Sequence, residues 1–114
     1  MLVTIYHNPR CRKSREALQI LNDKHIQPTI VEYLKTTLDK NQLTKLVSKL
    51  AISPIDLVRT NEAIWKDQFK GKQLSDKDII TAMVENPKLI ERPIVVRDEK
   101  AVIARPPELV LEII

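Results

Sequence analysis

Between Leu2 and Leu34 the hydrophobic spacing changes twice, and this change restricts the fold more than any other feature of the chain. Leu2 to Tyr6 (LVTIY) is a short apolar, β-branched run closed by Asn8-Pro9, the pattern of a buried strand. Ala17, Leu18, Ile20 and Leu21 then recur at helical spacing, from about Ser14 to Lys24, in an otherwise charged segment. Pro28 opens a second β-branched and aromatic stretch, Thr29 to Leu34. So short a crossover makes the two strands parallel neighbours, with the helix on one sheet face in the right-handed sense.

The middle of the chain is helical. Leu43, Leu46, Val47 and Leu50 fall on one helix face, and Asp39 with Gln42 three residues on fits a capping box. Ser53-Pro54 starts a short helix with Arg59 near its far end. A further segment carries Ala63, Ile64, Trp65 and Phe69, with the sole glycine, Gly71, placed to end it. Ser75 with Asp78 caps the next helix, which Asn86-Pro87 stops. Ile94 to Arg97 and Ala101 to Ala104 then flank Asp98-Glu99-Lys100 as an antiparallel hairpin, and Arg105-Pro106-Pro107 leads into a last helix ending at Ile114. The order is βαβ, a helical insert over about 39–86, then ββα. It predicts an α/β fold in the thioredoxin style, a four-stranded mixed sheet with helices on its faces, in one domain covering 1–114.

Composition narrows the function. The chain has 114 residues, 43% of them hydrophobic and 30% charged, as expected of a single folded domain rather than a disordered chain. A net charge of +4 favours anions or acidic partners without requiring nucleic acid. No stretch approaches the roughly 20 apolar residues of a membrane span, and no basic n-region precedes the first strand, so a cytoplasmic location away from membranes is expected. Two histidines and one cysteine without ligand spacing argue against a metal site.

That one cysteine, Cys11, sits in the most basic stretch of the chain, HNPRCRKSR, where the first strand gives way to the first helix. Reaction sites of βαβ units gather there. A thiol at a helix N-terminus meets the positive end of the helix dipole and unpaired N–H groups, and both favour the thiolate. The same groups would hold an oxyanion beside the sulfur. Arg10, Arg12, Lys13 and Arg15 add charge, and His7 could either tune the sulfur or pack at the strand end. A free cysteine can also be an inert small hydrophobe, but such cysteines lie in apolar surroundings.

Ser14 stands where a C-x-x-C oxidoreductase carries its second thiol. It can donate to the thiolate or cap the helix, but it closes no disulfide, so any disulfide of Cys11 is a mixed one. A phosphatase-type C-x₅-R loop would need arginine where Ala17 stands. Arg92 precedes Pro93 at the start of the hairpin and Arg105 precedes Pro106 at its end, so the two share one end of the sheet. If the third strand runs antiparallel to the first, that end is where Cys11 lies. Arginine suits oxyanions because its planar fork donates two parallel hydrogen bonds; solvated arginines before prolines are the plainer alternative.

"YHNPRCRKSR" after the first strand, "ERPIVV" before the hairpin and "ARPPE" after it resemble the glutaredoxin-coupled arsenate reductase family, ArsC, over nearly the whole chain. The resemblance implies a thioredoxin-like fold with a helical insert and a cis peptide before Pro93. It also implies an enzyme that reduces arsenate to arsenite through a nucleophilic cysteine, with no bound cofactor and with glutathione and glutaredoxin as reductants. Cys11 then matches the nucleophile, Arg59, Arg92 and Arg105 match the oxyanion-holding arginines, and His7 and Ser14 match positions that assist the thiolate. Arg10, Arg12 and Lys13 are bulkier and more basic than the small residues of the well-studied reductases. The same fold serves the Spx regulators, which bind RNA polymerase and usually carry C-x-x-C, so a non-catalytic regulator is the alternative, as is a thiol reductase acting on another substrate.

Overall fold

The computed structural model describes residues 2–114, which gather into two compact units: the chain up to Thr36 together with Arg92–Ile114, and Thr37–Glu91. The first unit holds a four-stranded sheet built from β1 (Val3–Tyr6), β2 (Thr29–Val31), β3 (Ile94–Arg97) and β4 (Lys100–Ile103), in the order β2-β1-β3-β4. β1 runs parallel to β2, with Ile5 opposite Ile30, and antiparallel to β3, with Ile5 opposite Val95. β3 pairs antiparallel with β4, Ile94 facing Ile103. This is the thioredoxin-like mixed sheet that the spacing of apolar residues predicts.

Alternation along β1 buries Val3 and Ile5 on one face. Against them lie Ala17 and Leu21 from α1 (Arg12–Asp23), Val95, and Val110 from the closing turn Pro107–Glu112. Ser14, Ala17 and Leu21 are the buried residues of α1 and follow one another at three and four residues, so the apolar stripe that seats the helix ends on a serine at its N-terminal turn.

Four local details differ from the sequence reading. α1 begins two residues before Ser14, because the Asn8-Pro9 turn closes on Cys11 and makes Cys11, not Ser14, the residue that precedes the helix. β2 stops at Val31, where the chain turns on the Glu32 carbonyl. The hairpin turn is two residues long, Asp98-Glu99, with Lys100 already paired to Arg97; Asp98 takes the left-handed conformation (φ 53°) that aspartate tolerates. The last helix is 3₁₀, which suits a six-residue segment started by Pro106-Pro107.

The second unit is helical. α2 (Lys40–Leu50) starts on the expected capping box: the Gln42 N–H donates to Asp39 Oδ1 at 2.8 Å, and the Asp39 N–H to Gln42 Oε1 at 2.9 Å. A 3₁₀ turn (Pro54–Leu57) and α3 (Ala63–Gln68) follow; Trp65 and Phe69 stack at 5.3 Å, and Gly71 supplies a positive φ of 82° just beyond the helix. α4 (Asp76–Glu85) starts on the Ser75/Asp78 box, ends at Asn86-Pro87 as expected, and packs on α2. Among the described residues no helix is long and apolar enough to cross a membrane.

Candidate active site

Three strand ends and one helix start meet around Cys11. At the carboxyl end of β1 the His7 N–H donates to the Val31 carbonyl at 2.8 Å, after which Asn8 organises the turn. Its side-chain Oδ1 accepts from the Arg10 N–H at 3.0 Å, and its carbonyl accepts from the Cys11 N–H at 2.9 Å. Cys11 is extended (φ −92°, ψ 123°), and its carbonyl accepts the Arg15 N–H at 3.0 Å, the first bond of α1. Its side chain therefore occupies the place of a capping oxygen.

Cys11 is a free, partly buried thiol. Burial is the largest influence on it and pushes its pKa up, but the Ser14 N–H, the hydrogen bond and charge of Arg92 and the Lys13 N–H together outweigh burial, so the net shift is downward. The sulfur makes no hydrogen bond of strict capping geometry, yet those N–H groups act on it in the capping sense. The site favours the thiolate by peptide dipoles and by a guanidinium from the far end of the chain.

Strand register brings that guanidinium in. Tyr6 pairs with Ile94, so Arg92 lies just past the strand end that Cys11 follows, and Arg92-Pro93 is a cis peptide. Ile94 pairs with Ile103 and the Ala104 N–H donates to the Pro93 carbonyl at 2.9 Å, which sets Arg105 opposite Arg92. Arg105 Nη1 donates to the Arg92 carbonyl at 3.1 Å, and Arg105-Pro106 is also cis, a feature for which the sequence reading had no signal.

His7 and Ser14 form the buried floor. His7 Nδ1 lies 2.6 Å from Ser14 Oγ, which also accepts the Asn8 N–H at 3.0 Å. Burial lowers the His7 pKa, with Arg15 adding to the effect and Glu32 opposing it. His7 is therefore neutral near pH 7 and joins the site as a hydrogen-bonding group, not as added positive charge. The neighbouring basic residues are also engaged elsewhere. Arg12 Nε pairs with Glu16 Oε1 at 2.9 Å on the exposed side of α1, and Arg15 Nη1 donates to the Pro9 carbonyl at 2.9 Å. Asn8 and Arg15 thus hold the cysteine loop in shape, a role that the Asn-Pro turn signal could have revealed for Asn8.

Arg59 belongs to the second unit. Its N–H donates to the Leu89 carbonyl at 2.7 Å beside the Val58–Ile90 bridge, and its Nε lies 3.7 Å from Glu91 Oε1. Among the described residues no group of three His, Cys, Asp or Glu side chains could hold a metal ion.

The fold of this chain recurs in known proteins. The chain is 48% identical to the uncharacterized protein YfgD of Escherichia coli (strain K12), over 98% of this chain and 96% of that one. It is 44% identical to an arsenate reductase of Haemophilus influenzae over the full length of both. The structure of an arsenate reductase from Vibrio cholerae superposes with a TM-score of 0.96 at 45% identity, covering 100% of this chain and 98% of that one. The family model described as the ArsC family matches residues 6–113. A match over that length, on a sheet of this order with its cysteine at the start of α1, makes the chain a member of the ArsC family.

Proposed function

We propose that this protein is a cytoplasmic arsenate reductase that works through Cys11 with glutathione and glutaredoxin as reductants. The observation that carries the reading is the thiolate-favouring constellation at the start of α1, peptide N–H groups on one side and Arg92 on the other. An arsenate dianion suits the same constellation, because its oxygens accept hydrogen bonds from helix N-terminal N–H groups and from guanidinium forks. Arg92 and Arg105, joined through the Arg92 carbonyl, are assigned to the oxyanion; Arg59 shares that assignment by the family resemblance alone.

In the first step the Cys11 thiolate attacks arsenic: an S–As bond forms, one As–O bond breaks, and the departing oxygen takes up protons and leaves as water. Arginines that neutralise the arsenate lower the repulsion between the two anions. A glutathione thiolate then adds to arsenic and displaces a second oxygen, which takes up protons and leaves as water. A further thiol, from glutaredoxin, attacks the glutathione sulfur. The As–S bond to glutathione breaks with its electron pair left on arsenic, which becomes As(III), and the two external sulfurs leave as a mixed disulfide. Water finally replaces Cys11 on arsenic, releasing arsenite and the thiolate. The single cysteine demands external thiols at this stage.

Steady-state arsenate reduction with glutathione and glutaredoxin tests the proposal. Turnover that vanishes in Cys11→Ser is expected; a wild-type rate no higher than that of Cys11→Ser would refute it.

A further inference from the structure

A groove beside the Cys11 loop is lined by none of the arginines assigned to the oxyanion. It opens outside the carboxyl ends of β1 and β2, parallel neighbours in the sheet, where the loops of α/β sheets leave a crevice for ligands. One wall is Pro9 and Arg10, from the loop that carries Cys11; the other is Glu32, Leu34 and Lys35, from the turn after β2. The cavity is about 430 Å³, within the range of small-molecule clefts.

The backbone of both walls is fixed. The Lys35 and Thr36 N–H groups both donate to the Glu32 carbonyl at 2.9 Å, and the Asn8 side chain holds the Arg10 N–H at 3.0 Å. The charged ends are loosely engaged: Lys35 is 79% exposed and lies 3.5 Å from Glu32. An ion pair of that kind stabilises little and can be exchanged for contacts to a ligand at small cost.

Two cations and one carboxylate around the apolar surface of Pro9 and Leu34 complement a small molecule with two carboxylates, one ammonium and a short aliphatic stem. A γ-glutamyl tripeptide thiol has that pattern, with its sulfur between its charged ends. Arg10 directly precedes Cys11, so the groove is walled by the same loop that carries the nucleophile. We infer that this groove seats the reducing tripeptide thiol, with Arg10 and Lys35 on its carboxylates and Glu32 on its ammonium. The inference rests on the reductase reading above and gives a purpose to the basic residue before the nucleophile.

Binding and turnover separate the two ideas. The Cys11→Ser variant, titrated with the non-reactive analogue S-methylglutathione and followed by amide NMR shifts, should show saturable changes at Arg10 and from Glu32 to Lys35, lost when Arg10→Glu and Lys35→Glu are added. Changes elsewhere only, or unaffected by the charge reversals, overturn the groove whatever the enzyme assay shows. In arsenate turnover the double reversal should raise the ratio of the KM for glutathione to that for 2-mercaptoethanol by about tenfold, the scale of losing charged hydrogen bonds. An unchanged ratio also overturns the groove, and absent wild-type turnover refutes the reductase reading while the titration still decides the site.

Discussion

Helices α2 and α4 begin on a side-chain oxygen, and α1 begins on a sulfur. Asp39 and Ser75 each accept an N–H of the first turn, at 2.8 and 3.1 Å, and each is answered by a side chain three residues on. At α1 the equivalent residue is Cys11, with Arg12 and Lys13 next and no acidic residue in the first turn. A helix start closed by oxygen is a finished structural joint, since the orphan N–H groups have found their acceptors. A start left to a thiol keeps those N–H groups available to an anion, first the thiolate itself and then an oxyanion bound beside it. The same local rule that stabilises α2 and α4 is, at Cys11, turned to reactivity.

Swapping the two kinds of start is the strongest way to break this contrast. Cys11→Asp places a carboxylate where the backbone is already extended for capping. It should abolish arsenate turnover, a loss on the order of 10³-fold or more because the nucleophile is gone, while raising stability to denaturant by up to about 1 kcal/mol. A variant less stable than wild type would show that the α1 start does not behave as a cap site. Next in size, Arg92→Ala should lower turnover by about 10²–10³-fold, as removal of a preorganised charge-stabilising donor does, with Arg92→Lys recovering part. An Arg92→Ala enzyme of wild-type rate would remove Arg92 from the site.

The structural starts should respond in the opposite way. Asp39→Ala should cost about 1 kcal/mol of stability, read from the denaturant midpoint, and leave the alkylation rate of Cys11 unchanged. A large change in that rate would mean that α2 capping is not the local matter described.

The smallest effect concerns His7. Burial holds its pKa below the ordinary value of about 6.5, so between the two values the unfolded chain binds the proton and the folded one does not. Stability from this source is present above pH ~6.5 and is lost as pH falls through the window. Wild type should therefore lose more stability than His7→Gln on going from pH 7.5 to 5. Equal losses would contradict a buried neutral His7.

Much of this was legible in the residues. The βαβ start placed Cys11 at the strand-to-helix junction because a period change from two to 3.6 marks such a junction directly. The approach of Arg92 and Arg105 followed from pairing: once the hairpin is antiparallel and β3 lies against β1, both arginines must leave the sheet at the end where Cys11 begins its helix. The charge that acts on the sulfur is less legible. Arg12 is adjacent to Cys11 in sequence, but one helical turn takes it to Glu16 on the exposed side, whereas Arg92 is remote in sequence and acts on the sulfur. Sequence proximity counts basic residues without saying where helix geometry points them. The neutrality of His7 comes from its burial against Ser14, which no local pattern reports. The left-handed Asp98, which shortens the hairpin turn by a residue, depends on a backbone choice that several residue types permit.

The central claim is that peptide N–H groups and Arg92 shift Cys11 toward the thiolate, and the rate of iodoacetamide alkylation against pH measures this in wild type and Arg92→Ala. The account predicts a wild-type midpoint below the ~8.5 of a free cysteine and a higher midpoint in Arg92→Ala. A wild-type thiol titrating like a free cysteine, or a midpoint that Arg92→Ala leaves in place, would contradict it.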